Sequence, residues 1–183
     1  MKSLCVFCGA RTGTNPRYAQ AADETGRIIA DLGLRLVYGG GNIGLMGIIA
    51  DAVLSRGGDI TGVIPRFMVE KEKAHRGVRD MRIVGSMHER KAILAAESDA
   101  FLALPGGVGT LDETFEAITW NQLAIQQKPV GFLNVDGIYD SIWGFLERAC
   151  RDELIPRGTM RLLAIDDDPH RLVQRLSEMG RSL

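Results

Sequence analysis

The stretch Ala100–Phe115, AFLALPGGVGTLDETF, decides the fold. Ala100–Leu104 is a short, wholly apolar run, as expected of a strand buried on both faces. Pro105 and three glycines (Gly106, Gly107, Gly109) break the run, and from Thr110 the residues 110–126 follow with helical spacing. Strand, glycine turn and helix make the repeating unit of a parallel α/β sheet, and such sheets bind ligands at the carboxyl ends of their strands.

The same alternation extends in both directions. Strands are expected over 3–9, 34–40, 59–65, 81–86, 100–107, 128–135 and 161–167, and helices over 15–33, 44–58, 87–99, 110–126, 139–154 and 168–180. Asn15 and Pro16 form a helix start, as N-cap and first helical residue, and Gly33 is the matching stop. Residues 66–80, RFMVEKEKAHRGVRD, are charged and aperiodic and read as a loop or short excursion. The expectation is one doubly wound, Rossmann-like α/β domain over 1–183, with a mostly parallel sheet of about seven strands.

Composition bounds the partners. The chain has 183 residues, 45% hydrophobic and 25% charged, with a net charge of −1. No global field draws it to nucleic acid or to an anionic membrane, so any phosphate site must be local. No apolar run reaches the roughly 18 residues of a membrane span, and the opening MKSLCVFCG reads as a strand, which makes a cytoplasmic protein the expectation. Cys5 and Cys8 form a C-x-x-C, but strand alternation points them to opposite faces, and the three histidines show no ligand spacing, so no metal site is expected.

Three constellations fall at strand ends. In YGGGNIGLMG, Gly39, Gly41 and Gly44 match G-x-G-x-x-G between a strand and a helix. The turn follows the second strand rather than the first, and Asp59 precedes the third strand instead of ending it, both against a dinucleotide site. A turn that admits a ligand phosphate or sugar to the backbone of Gly40 and Gly41 fits better, and a purely structural turn is the alternative. In SMHERKAIL, Ser86 and Glu89 form a capping box, which puts Arg90 and Lys91 in the first turn of a helix, where the macrodipole disfavours cations. An anionic ligand would explain them; solvated surface charges, or pairing of one with Asp99, would serve equally. The third is the opening stretch. No Lys follows Gly109, which excludes a Walker A loop. The glycine turn into a helix start still offers backbone N–H groups to an anion. Thr110 and Glu113 form a second capping box, T-x-x-E, so Glu113 has two readings: a cap, or a carboxylate beside a sugar phosphate. A phosphate cradle, a carboxylate and an Arg suit cleavage at an anomeric carbon, whose transition state resembles an oxocarbenium ion.

GGGNIGLMG, MHERK and PGGVGTLDE, in this order, resemble the LOG family of cytokinin riboside 5′-monophosphate phosphoribohydrolases, often mislabelled lysine decarboxylases. The likeness runs from VFCG to KPVGFLNVDGIYD. It implies a Rossmann-like fold, no cofactor, a homodimer with the site near the interface, and hydrolysis of a purine nucleoside 5′-monophosphate to free base and ribose 5-phosphate. It carries the catalytic pair onto Arg90 and Glu113 and substrate contacts onto Lys91, Glu72 and Thr119. The phosphate loop maps onto Gly107, Val108, Gly109 and Thr110, and Leu111 and Asp112 follow as further substrate contacts. Ala10 and Arg11 stand where many members carry serines, and Val108 where many carry Tyr. A non-catalytic purine-nucleotide-binding module is the alternative. A pyridoxal-phosphate decarboxylase would need a Schiff-base lysine, and among Lys2, Lys71, Lys73, Lys91 and Lys128 only Lys91 lies near a glycine-flanked site.

Overall fold

The computed structural model describes residues 1–181. Seven strands build one sheet: β1 (Ser3–Phe7), β2 (Arg35–Tyr38), β3 (Ile60–Pro65), β4 (Asp80–Val84), β5 (Ala100–Ala103), β6 (Val130–Leu133) and β7 (Leu163–Asp166). Their order is β4-β3-β2-β1-β5-β6-β7, and every neighbouring pair is parallel. The helices are α1 (Pro16–Asp31), α2 (Gly44–Ser55), α3 (Met87–Ala96), α4 (Val108–Gln122), α5 (Asp140–Arg151), α6 (Arg157–Met160) and α7 (Pro169–Arg181). The seven expected strands and the doubly wound architecture are all present. The short helix α6, around Gly158, was not expected: four residues carry no readable period.

Alternation within the strands sorts the core into two layers. Leu4, Val6 and Cys8 join Leu36, Tyr38, Leu102 and Leu104 against α1, α2 and α7. Cys5, Phe7, Val37, Phe101 and Ala103 face α3, α4 and α5. Cys5 and Cys8 thus lie on opposite sides of the sheet, as the period of two requires. Asn15 caps α1 through its side-chain oxygen, which accepts the Arg17 N–H at 3.0 Å, with Pro16 at the first helical position. Gly33, at φ +64°, closes that helix in the left-handed conformation that glycine adopts without strain.

Strand order reverses between β1 and β5, so the loops after these strands diverge and leave a crevice. The β1 and β5 loops form its two lips, and the excursion over 66–79 reaches its far end. That excursion begins as a 3-10 turn, Arg66–Met68, and is fastened back onto the glycine turn after β2. His75 N–H donates to Gly40 O at 3.0 Å, Asn42 N–H donates to Glu72 O at 2.9 Å, and Gly41 bridges Ala74. The buried His75 ring adds a clasp: Nδ1 accepts the Gly77 N–H at 3.1 Å, and Nε2 faces Asp51 Oδ1 on α2 at 3.0 Å.

Close approach of α1 and α2 holds that side of the sheet. A Cβ on Gly26 would lie 2.7 Å from both Ala52 Cβ and Ile49 O. Gly26→Val should therefore destabilise the chain by about 1–3 kcal/mol, as overpacked helix contacts do. Urea unfolding checks this; a midpoint equal to wild type would mean that the helices separate without cost.

Candidate active site

The crevice between the β1 and β5 loops opens into a cavity of about 490 Å³. One wall is the turn from Pro105 to Gly107 with the start of α4, the other is the loop from Gly9 to Gly13, and the inner end is closed by Met68, Glu72, Met87 and Arg90. Cys8, Leu45 and Met46 line its floor.

The turn after β5 hands over to helix earlier than the sequence suggests. Gly107, in extended conformation, is the N-cap of α4, and no side chain caps it. The capping box read at Thr110 and Glu113 does not form: Thr110 is already the third helical residue, beyond reach of a cap role. Its side chain instead folds under the turn, where a Cβ on Gly106 would lie only 2.0 Å from Thr110 Oγ1. The first-turn N–H groups are left for an anion or for water.

Freed from capping, the three carboxylates of α4 divide. Asp112 and Glu116 take Lys91, whose Nζ lies 2.8 Å from Asp112 Oδ2 and 3.2 Å from Glu116 Oε2. Burial pulls the Lys91 ammonium down, but these two partners outweigh it and hold it above its ordinary value. Glu113 enters the cavity. Burial raises its carboxyl to about 7, against the lowering effect of the Arg90 charge and with Glu72 adding to the rise. Glu113, Glu116 and Trp120 do share a helical face, and with Lys91 they line a small cleft beside the main cavity.

Arg90 is the buried charge of the site, 4% exposed. Its Nη2 donates to Gly39 O at 3.1 Å and lies 3.7 Å from Glu72 Oε2. Nη1 meets only the thioethers of Met68 and Met87, at 3.6 and 4.0 Å. Among the described residues, Arg90 Nε and Glu72 Oε2 have no hydrogen-bond partner. The Glu72 carboxyl is raised by burial, which its neighbour Arg90 offsets only in part. A buried guanidinium with spare donors, facing a cavity, is a site prepared for acceptors it does not yet have.

The placement of the cations resolves the question raised by the start of α3. Ser86 caps the helix by accepting the Glu89 N–H at 3.1 Å, while Glu89 reaches back to the Gly85 N–H at 2.8 Å. Neither Arg90 nor Lys91 is a solvated charge, and Asp99 is engaged elsewhere, accepting the N–H groups of Lys2 and Ser3. His88 stays exposed.

Other expected contacts lie apart from the main cavity. Val108, Leu111 and Thr119 line the outer side of α4 with Phe115 and Trp120. The Thr119 hydroxyl donates to Phe115 O. Gly107, Gly109, Thr110 and Asp112 line the cavity. The glycines after β2 are approached by the protein's own groups rather than by the cavity. A Cβ on Gly39 would lie 2.0 Å from Arg90 Nη2, Gly40 packs on Met81 and Ile64, and Gly41 packs on Met46 and Glu72. Gly40 and Gly41 therefore support the site from behind. Sequence reasoning missed Gly39 as the seat of Arg90 and Met68 and Met87 as its apolar wall. Methionines inside a charged, aperiodic segment or beside a capping box give no signal of their own. Among the described residues no group of His, Cys, Asp and Glu is arranged to hold a metal ion, and no helix is long and apolar enough to cross a membrane.

Fold and site together define a Rossmann-like α/β protein whose one lip offers helix N–H groups to an anion and whose inner end holds a buried arginine with two protonatable carboxylates. The model of a family described as "possible lysine decarboxylase" matches residues 46–176. A probable cytokinin riboside 5′-monophosphate phosphoribohydrolase of Oryza sativa subsp. japonica, LOGL9, is 48% identical over 177 residues, 97% of this chain and 78% of that protein. The cytokinin riboside 5′-monophosphate phosphoribohydrolase LOG7 of Arabidopsis thaliana is 42% identical over 177 residues, 97% of this chain and 82% of that one. The chain belongs to this family, the LOG family. Among solved structures, the molybdenum cofactor carrier protein of Chlamydomonas reinhardtii superposes with a TM-score of 0.74 at 21% identity, covering 97% of this chain and 96% of that one. The molybdenum cofactor binding protein of Rippkaea orientalis gives 0.73 at 22%, covering 98% of both chains. At that identity the likeness speaks for the fold alone.

Gly39→Ala should displace the Arg90 guanidinium, since the added methyl would take its place. Expected is a loss of ligand affinity or turnover of tenfold or more, with a thermal midpoint within a few degrees of wild type. Unchanged activity in a folded Gly39→Ala protein would show that Arg90 is not seated where the site needs it.

Proposed function

We propose that this chain hydrolyses the N-glycosidic bond of purine nucleoside 5′-monophosphates, cytokinin riboside 5′-monophosphates or AMP, releasing free base and ribose 5-phosphate. Family membership supports the reaction class. The observation that carries the assignment to residues is the pairing, in one cavity, of the under-coordinated Arg90 guanidinium with Glu113, whose carboxyl is raised to about 7.

The substrate phosphate sits on the N–H groups of Gly107 to Thr110 at the start of α4, where the helix dipole favours an anion. This places the sugar toward Glu113 and the base toward the methionine-lined inner end. As the bond from the anomeric carbon to the base breaks, its electron pair leaves with the base and positive charge builds on the sugar. The Glu113 carboxylate stabilises that charge, and it takes the proton of the water whose oxygen bonds to the anomeric carbon. The departing base takes up one proton from solvent, and Glu113 later releases the proton that it took from the attacking water, so the net transfer is one water proton to the base. Arg90, fixed by Gly39 O, supplies guanidinium donors to oxygens of the sugar. A group titrating near neutrality both accepts and returns a proton at working pH.

A pyridoxal-phosphate decarboxylase is disfavoured by the state of Lys91. Schiff-base formation needs a neutral amine, which proteins obtain by lowering a lysine's proton affinity. Lys91 is held the other way, charged between Asp112 and Glu116.

The test is chromatographic detection of free base from AMP and, separately, from N6-isopentenyladenosine monophosphate. Wild type should release base from at least one, and the ratio of the two rates identifies the preferred base. Glu113→Gln should lose on the order of a hundredfold or more in kcat, and kcat/KM of wild type should fall in acid with a midpoint near pH 7, as the required carboxylate protonates. Saturable binding without turnover would instead establish a non-catalytic nucleotide-binding module.

We also infer a homodimer. Support comes from the apolar outer face of α4, where Val108 is 84% exposed, Leu111, Phe115 and Trp120 line an open groove, and Leu123 and Ile125 stand exposed just beyond. Sedimentation equilibrium should give twice the chain mass, and Val108→Asp should shift it toward monomer; a monomeric wild type would refute this.

A further inference from the structure

We propose that Arg11 is the residue that selects phosphorylated ligands at this site, by supplying a guanidinium to the phosphate from the lip opposite α4. This inference rests on the nucleotide reading above.

The charges lining the cavity are Arg11, Arg90, Glu72, Asp112 and Glu113. A phosphate entering this set meets three carboxylates, so helix N–H groups alone must work against a negative surround. Arg90 holds Gly39 O through Nη2, and its spare donors are those that the reading above assigns to the sugar oxygens. Lys91, which lines the adjoining cleft, is neutralised by Asp112 and Glu116. No hydrogen bond or ion pair among the described residues engages the Arg11 side chain, which is exposed at the cavity mouth. It is the one cavity-lining cation with no partner to give up.

Its position is fixed by the backbone rather than by its own contacts. Gly9 N–H donates to Pro105 O at 3.1 Å, and Leu45 N–H donates to Gly9 O at 2.9 Å, so the β1 loop is stitched to both the β5 turn and the start of α2. A Cβ on Gly9 would lie 2.9 Å from Arg11 O and 3.5 Å from Gly106 Cα, and one on Gly44 would lie 2.4 Å from Arg11 N. Arg11 therefore projects from a rigid loop that touches the phosphate turn itself. Across the crevice, the planar fork of an arginine can pair with two phosphate oxygens while the helix N–H groups take the others. A long, exposed side chain at the mouth also shields the phosphate end once a ligand is in place.

Calorimetric titration of the full chain with ribose 5-phosphate, AMP and adenosine tests this without depending on turnover. Arg11→Ala should weaken ribose 5-phosphate and AMP at least tenfold while leaving adenosine within twofold, and Arg11→Lys should recover part of the loss as a point charge without the fork. Unchanged affinity for ribose 5-phosphate in Arg11→Ala overturns the proposal, as does an equal loss for adenosine, which would put Arg11 on the base or the sugar. If wild type binds AMP in this Arg11-dependent way but never cleaves it, the hydrolase reading fails and the role of Arg11 stands. If wild type cleaves AMP and Arg11→Ala binds it equally well, the reverse holds.

Discussion

The guanidinium of Arg90, buried against the carbonyl of Gly39, is the constraint around which the site is built. Leaving a charge in that position without full solvation costs several kcal/mol unless neighbours compensate. The compensation explains much of the local sequence. Gly39 lacks a side chain because the guanidinium occupies that space. Gly41 lets the excursion over 66–79 lie against the β2 turn, and the excursion carries Glu72 to within 3.7 Å of Arg90. The His75–Asp51 clasp then ties that excursion to α2. A glycine run that looks like a ligand turn is instead the seat of an arginine.

The same constraint sets the condition of Glu113. A carboxylate in this site is pushed toward its neutral form by burial and by Glu72, and the Arg90 charge, with a smaller contribution from Lys91, draws it back. The result, a group poised near neutrality, costs stability. Its carboxyl binds a proton more tightly folded than unfolded, so its stabilising contribution is complete below the ordinary carboxylate range and is lost as pH rises through about 7. A chain selected for stability alone would not place an acid there. Retaining it is the pattern expected where a site needs a proton acceptor in a dry, charged pocket.

Most of the fold was legible in the sequence, because buried parallel strands are short apolar runs and amphipathic helices keep their period. All seven strands were readable, as was the helix start at Asn15 and Pro16. The site was legible in parts. Arg90 and Lys91 stood out as cations where a helix start disfavours them, yet spacing could not tell that one is a buried site group and the other a strut to α4. Glu113 satisfied a capping-box pattern with Thr110, and only the backbone of Gly107 shows that the helix begins earlier and releases it. Gly39 and Glu72 could not be paired with Arg90 from sequence, since they lie 51 and 18 positions away in the chain and meet only through sheet order.

The proposed chemistry requires a Glu113 carboxyl of raised proton affinity with Arg90 as its counter-charge. Carbon-13 NMR titration of the glutamate side-chain carboxyls, with Glu113→Gln to assign the signal, measures it in the intact chain. A midpoint near 7 in wild type, rising further in Arg90→Met, is the predicted result. A midpoint in the ordinary carboxylate range, or one that Arg90→Met leaves in place, would contradict it.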